Sequence, residues 1–345
     1  MKLDREREWT ALQKEPLHLN PQNLQGRTLL ITGGNAGNCS PFSTQRIGLE
    51  CAKQLAKMGP SKIILACRNM KTAAEAVESI KAGGFSEVEA WHLDQGSISS
   101  VKAFTKRYND SGLDLHLVLA NAGVLSFKST PTPELTEDGH EVMVATNHSG
   151  AVLLTLGLLP SLRRTAAKAT GDEIPRIVIV SSDVHYWAEL SVSKEQGNMI
   201  KAMDSENNWT NNRDRYFDTK LLNVLYAQEL GQKLQQSQVK EDKKIVVAVV
   251  NPGLVLSREQ IEDSNFPMPA ERRAIAREYP EGCKTHLFAS IDPSAAKPTE
   301  VVYYSNCRPF ESADITLGSE GEALSNRVWK DTLEALGATE QEFQL

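Results

Sequence analysis

The chain has 345 residues, 40% of them hydrophobic and 24% charged, with a formal net charge of −6; this composition fits a globular protein with a sizeable core and excludes disordered and fibrous classes. The acidic balance comes without any Lys/Arg-rich block, so no nucleic-acid partner is expected, and no apolar run reaches the roughly 18 residues of a membrane span. Cys39, Cys51, Cys67, Cys283 and Cys307 form no CxxC pair and have no histidines at zinc-finger spacing, so free thiols in a reducing compartment and no metal are expected.

The N-terminus, MKLDREREWT, lacks an apolar h-region, so no signal peptide is expected and the location reads as cytoplasmic. Residues 1–25 are polar and read as an arm or a short surface helix. RTLLITGG (27–34) is a short apolar run ending in glycines, the pattern of a buried parallel strand followed by a tight turn. Helices are then expected over 47–58, 72–82, 101–108, 139–164 and 216–235, alternating with strands over 62–67, 88–93, 113–120, 176–180 and 244–250; a seventh strand is expected over 301–305. This alternation predicts an α/β fold with one doubly wound (Rossmann) parallel sheet of about seven strands and helices on both faces. Residues 26–345 read as one domain, with polar excursions at 187–213 and 257–282 that have the length of functional lids.

Such sheets bind ligands at the carboxyl ends of their strands, where the strand order reverses. The turn after the first strand reads Thr32-Gly33-Gly34-Asn35-Ala36-Gly37. Glycines there let the backbone approach a pyrophosphate, and the following helix offers its N-terminal amides. Alone, a glycine-rich turn is a weak signal. TGGNAG followed by IGLE resembles the TGxxxGIG motif of the short-chain dehydrogenases/reductases, which implies cofactor contacts at Gly33, Asn35, Gly37, Ile47 and Gly48. The match is interrupted: the nine residues 38–46 (NCSPFSTQR) separate Gly37 from Ile47. Three readings stay open. The insert bulges outward and Gly48 closes the motif from the far side; it obstructs the phosphate site; or it is a fragment of unspliced sequence carried in a gene model.

Arg68 stands twenty positions after Gly48, where an NAD-binding fold carries an acid for the ribose hydroxyl. A guanidinium suits a 2′-phosphate instead, so NADP(H), rather than NADH, is the expected cofactor; the competing role is a solvated arginine at a strand end. Asp94 resembles the family aspartate that accepts from the adenine amino group, with a turn or cap role near Ser97 as its competitor. Asn121-Ala122-Gly123 matches the family's NAG motif, which lines the adenine-ribose site.

Tyr216 and Lys220, in YFDTK, share one helix face. A free tyrosine has a pKa near 10, and a neighbouring ammonium lowers it, so Tyr216 is expected to exchange a proton with a carbonyl or alcohol oxygen. Lys220 is also expected at the nicotinamide ribose. Ser182, favoured over Ser181 by the register of the resemblance, is expected to polarise the substrate oxygen. Asn147 lies inside an apolar helix where its amide must find partners; the resemblance gives it a water that relays protons to the lysine. NPGLVLS (251–257) resembles PGxVxT, which implies that Pro252, Gly253, the Val255 backbone and the Ser257 hydroxyl face the nicotinamide.

The resemblance spans residues 26–336, and the long Ser182-to-Tyr216 gap and the stretch FASIDPS…VVYYSNCRP are similar to the branch of retinol dehydrogenases and the WW-domain oxidoreductase. It implies hydride transfer between NADP(H) and a small, lipophilic carbonyl or alcohol substrate. A homodimer pairing the helices of Asn147 and Tyr216 stays open. The rival is a catalytically impaired member of this fold acting as a binding or scaffold protein, and the insert is its only support. A methyltransferase on a similar sheet would carry an acid where Arg68 stands.

Overall fold

The computed structural model describes residues 5–35, 45–125, 130–171 and 173–345. Helix α1 (Arg5–Lys14) precedes β1 (Thr28–Thr32), all five residues of which are buried, as a central strand covered on both faces requires. Then come α2 (Gln45–Ala56), β2 (Lys62–Cys67), α3 (Met70–Ala82), β3 (Val88–His92), α4 (Ile98–Asp110) and β4 (Leu117–Ala120). Asn69 accepts from the backbone N–H groups of Lys71 and Thr72, and Ser97 from that of Ser100; these caps fix where α3 and α4 begin. A π-helical segment, Val144–Ser149, runs into α5 (Gly150–Gly157), followed by α6 (Leu159–Lys168) and β5 (Arg176–Val180). The first excursion holds only α7 (Met199–Ala202) and single helical turns before α8 (Asn212–Gln236). After β6 (Val246–Asn251), the second excursion holds α9 (Arg258–Glu262), α10 (Ala270–Arg273) and α11 (Tyr279–Gly282). The chain closes with α12 (Lys284–Ile291), β7 (Val302–Ser305), β8 (Arg308–Phe310), α13 (Gly318–Ala335) and α14 (Glu340–Phe343).

The sheet order is β3-β2-β1-β4-β5-β6-β7-β8. Strands β1 to β7 run parallel and β8 is antiparallel to β7. The order reverses between β1 and β4, and this doubly wound sheet is the expected fold. Alternate residues of each strand feed opposite layers, as the strand period of two demands. Leu30, Ile64, Val118, Ile177 and Val247 pack with α4, α5, α6, α8 and α13. Leu29, Ile63, Leu117, Val178 and Ala248 pack with α2, α3 and α12.

The helix expected over 139–164 is divided. Its start is π-helical, and it breaks at Leu158, before Pro160 in the first turn of α6; proline removes a donor and clashes with the preceding turn. Gly150 and Gly157 hold α5 close to its neighbours: a Cβ on Gly150 would fall 1.8 Å from the Gln95 carbonyl oxygen, and one on Gly157 2.9 Å from Thr105 Cγ2. The strand expected over 113–120 begins only at Leu117, because Leu115 donates its N–H to Thr165 Oγ1 (2.7 Å) instead of to a ladder partner.

Arg163 on α6 binds Asp242 through two bonds, Nε to Oδ1 at 2.7 Å and Nη2 to Oδ2 at 2.8 Å, and Asp242 is fully buried. Arg163→Met strands that carboxylate. Urea unfolding should show a loss of about 3 kcal/mol; a loss under about 1 kcal/mol would mean that water replaces the guanidinium.

Candidate active site

The carboxyl ends of the strands line two adjoining depressions. A narrow groove of about 60 Å³ gathers Gly33, Asn35, Arg68, Asp94, Ala122 and Gly123. A cleft of about 520 Å³ gathers Ile47, Ser182, Tyr216, Pro252, Gly253 and Val255.

The turn after β1 is tightly packed. Gly33 has φ of +65°, and a Cβ there would lie 3.0 Å from Ala122 Cα. A Cβ on Gly48 would lie 2.7 Å from the Gly33 oxygen and 2.6 Å from Asn121 Nδ2. Helix α2 therefore abuts the turn at Gly48, from the far side of the insert. Gly37 and insert residues 38–44 lie outside the described residues, while Gln45 and Arg46 begin α2. Buried Asn35 donates from Nδ2 to Thr72 Oγ1 (2.8 Å). Asn121 Nδ2 donates to the Thr32 oxygen (2.9 Å), and the Ala122 N–H to Thr32 Oγ1 (2.8 Å). Gly123 brings this segment beneath the helices of Asn147 and Lys220: a Cβ on it would lie 3.3 Å from Asn147 Oδ1 and 3.5 Å from Lys220 Nζ.

Arg68 is exposed at the groove and makes no ion pair or hydrogen bond among the described residues. Asp94 Oδ1 accepts from the Gly96 N–H (3.0 Å), so its turn role is occupied while its carboxylate still lines the groove.

Asn147 sits in the π-helical segment, a geometry that recurs at functional sites. Its Oδ1 accepts from the Val124 N–H (2.7 Å), and its Nδ2 donates to the Val124 oxygen (3.0 Å) and Thr219 Oγ1 (3.1 Å). Ser181 is turned away, donating to the Lys220 carbonyl (2.8 Å); Ser182 Oγ donates to Asp183 Oδ1 (3.0 Å). Lys220 is buried, donates from Nζ to the Val180 oxygen (3.1 Å), and lies 5.4 Å from the Tyr216 ring centroid. Burial lowers its pKa to about 8. Burial pushes the Tyr216 hydroxyl up from the ordinary tyrosine value, and the Asp183 carboxylate pushes it further. The expected lowering of Tyr216 by Lys220 is thus absent here: the ammonium is bonded to a backbone carbonyl and faces the ring, and desolvation dominates.

Val255 is held by a bridge to Arg277, with the Leu256 N–H donating to the Arg277 oxygen (2.9 Å), and the Pro252 oxygen accepts from Arg277 Nη1 (3.3 Å). Ser257 caps α9, its Oγ accepting from the Gln260 N–H (3.2 Å).

Sequence reasoning misses Asp183, Trp9 and Gln13. Buried Asp183 accepts from Trp9 Nε1 as well as from Ser182, and donates its N–H to Asn251 Oδ1 (3.1 Å). Gln13 Oε1 accepts from the Leu254 N–H (3.1 Å), and Arg277 Nη2 donates to the Leu12 oxygen (2.7 Å). Helix α1 is therefore a wall of the cleft. Adjacency to Ser182 is the only sequence signal for Asp183; nothing local in the polar arm marks Trp9.

A family model described as short chain dehydrogenase matches residues 27–189. A short chain dehydrogenase of Arthrobotrys oligospora is 30% identical over 91% of this chain and 93% of its own. A polyprenol dehydrogenase of Danio rerio is 29% identical over 90% of this chain and 87% of its own. The solved structure of L-sorbose reductase from Gluconobacter frateurii, complexed with NADPH and L-sorbose, aligns with a TM-score of 0.57 at 20% identity, covering 83% of this chain and 98% of that one.

Burial favours the neutral amine of Lys220, so between about pH 8 and 10.5 the folded chain binds fewer protons there than the unfolded chain. The cost to stability is complete below pH 8 and fades as pH rises to 10.5. Lys220→Met should therefore be more stable than the parent by about 2 kcal/mol at pH 7 and lose that advantage by about pH 10.5, as read by urea unfolding at each pH. Equal stability at pH 7 contradicts this charge burial.

Proposed function

The chain belongs to the short chain dehydrogenase family, and from that premise we propose that it is an NADP(H)-dependent oxidoreductase interconverting a carbonyl and an alcohol on a small lipophilic substrate, with Tyr216 as acid/base. The observation that carries this reading is that Ser182 and Tyr216 line one cleft, with Lys220 buried behind the tyrosine ring. The names of the polyprenol dehydrogenase and of the sorbose reductase bound to NADPH support the same class of chemistry.

The residues present suit a nicotinamide dinucleotide. Positions 33 and 48 have no room for a side chain, which leaves bare backbone where a pyrophosphate must approach. Gly33, Asn35, Gly37, Ile47 and Gly48 would hold the phosphates, with Gly37 assigned from the motif alone. Asp94, Asn121, Ala122 and Gly123 would line the adenosine half, and Arg68, an uncommitted guanidinium, would take the 2′-phosphate. Pro252, Gly253, Val255 and Ser257 would flank the nicotinamide, which supplies the hydride when bound.

The chain's own residues then manage the proton. Ser182 and Tyr216 hold the substrate oxygen, and a tyrosine kept protonated by burial is set to donate to a carbonyl. Lys220 keeps two ammonium protons beyond its bond to Val180 for the cofactor ribose. Asn147, anchored on Val124 and Thr219, supports the proton path behind Lys220.

Tyr216→Phe should lower turnover about 10³-fold while leaving NADPH affinity within about twofold of the parent, followed by NADPH absorbance and by fluorescence titration; joint loss of binding and turnover contradicts the assigned role. Arg68→Ala should cut the ratio of NADPH to NADH affinity by about tenfold. An unchanged ratio removes Arg68 from cofactor selection.

A further inference from the structure

The function proposed above asks Ser182 to donate its proton to a substrate oxygen. In the structure that proton lies elsewhere: Ser182 Oγ donates to Asp183 Oδ1 at 3.0 Å. A hydroxyl has one proton and two lone pairs. While the proton rests on Asp183, Ser182 offers only acceptor capacity, part of which receives the Val184 N–H at 3.4 Å. In this state it accepts from an alcohol and has nothing to give a carbonyl. Asp183 is held for this contact. Its N–H donates to Asn251 Oδ1 (3.1 Å), and its Oδ2 accepts from Trp9 Nε1. With Oδ2 engaged by Trp9, Oδ1 is the oxygen left to carry a proton. Once protonated there, the bond reverses: Asp183 donates to Ser182 Oγ, and the serine proton is released to the cleft. Asp183 lines that cleft together with Ser182 and Tyr216, which gives its proton a route to solvent.

The surroundings set the balance between the two states. Burial raises the Asp183 carboxyl above the ordinary aspartate value, while the bonds from Trp9 and Ser182 and the Arg277 charge pull it down. Tyr216 on α8 and Tyr303 on β7 face it as phenols that burial keeps neutral. His185 has both nitrogens engaged, Nδ1 donating to the Ser182 oxygen (2.6 Å) and Nε2 accepting from the Ala313 N–H (3.1 Å). Of the arginines along the cleft, Arg272 on α10 lies over the Trp9 ring, 5.8 Å from its centroid, and Arg213 pairs with Asp214 (3.2 Å). Glu311 and Asp314, which share the space beside α1 with Asp183, belong to exposed residues, where solvent and salt screen them.

We infer that Asp183 is a positioning residue that decides where the Ser182 proton points: protonated Asp183 makes Ser182 a donor to a carbonyl oxygen, and ionised Asp183 makes it an acceptor from an alcohol. This rests on the function proposed above and adds a selection between its two directions. The proton on Asp183 is not consumed, since Tyr216 supplies the one that joins the substrate oxygen. Carbonyl reduction is therefore fastest below the pH at which Asp183 ionises and falls above it, while alcohol oxidation gains. Helix α1 takes part through Trp9, which holds the carboxyl group in place.

Two measurements on the full chain test this, and the first needs no turnover. The indole N–H signal of Trp9, assigned by its loss in Trp9→Phe, is followed by NMR across pH. It should titrate with a midpoint that is absent in Asp183→Asn. Ser182→Ala, which removes the bond donated to the carboxylate, should raise that midpoint by about one pH unit. A titration that persists in Asp183→Asn, or a midpoint that Ser182→Ala leaves in place, overturns the coupling. The second measurement is kcat/KM for reduction of nonanal by NADPH. In the parent it should fall about tenfold per pH unit above the same midpoint. In Asp183→Asn, whose amide donates to Ser182 as a protonated Asp183 does, that fall should vanish. A uniform loss at every pH with the fall retained would mean a merely structural role and overturn the inference. A chain that shows the coupled titration yet reduces no carbonyl would instead refute the proposed function and leave the link between Asp183 and Ser182 standing.

Discussion

The carboxyl edge of this protein depends on how closely α2 approaches the turn after β1. Gly48 and Gly33 touch so nearly that a single methyl group on Gly48 would collide with a backbone oxygen at 2.7 Å. Asn121 fastens the same point from the β4 side through the Thr32 carbonyl. This contact joins three elements across the place where the strand order reverses. The described chain resumes at Gln45 and places Gly48 against the Gly33 carbonyl. The narrow groove with Arg68 and Asp94 and the cleft with Ser182 and Tyr216 lie on either side of that junction.

A second constraint is the burial of charge. Lys220 is carried into the protein on α8 and bonded to the Val180 carbonyl, while Asp183 is buried beside Ser182 and bonded to Trp9. Desolvation works against both charges. It also keeps Tyr216 a neutral phenol. A neutral phenol, a lysine near its titration point and a buried carboxyl group thus share one small volume, an arrangement that costs stability.

Much of this is legible in the sequence, for physical reasons. Fully buried parallel strands are unbroken apolar runs, so RTLLIT, KIILAC, RIVIV and VVAVV stand out, and motifs at strand ends can be placed with them. Strand β8 cannot be read, since RPF is three residues with a proline and its pairing is set by the turn before it. The π-helical turn at Asn147 goes with side-chain bonds to Val124, 23 positions away in sequence, and no local periodicity encodes that. The role of α1 depends on Trp9 reaching Asp183, 174 residues away. The direction of the Tyr216 shift escapes the sequence because a spacing of four along a helix gives proximity to Lys220 but not where its ammonium points.

The most direct test of this account is equilibrium titration of the intact chain with NADPH and with NADH, beside a version lacking residues 38–46. The account predicts that the intact chain binds NADPH at least about tenfold more tightly than NADH, and that removing the insert changes the NADPH affinity little. An intact chain that binds neither nucleotide, with binding restored by removing 38–46, would contradict it.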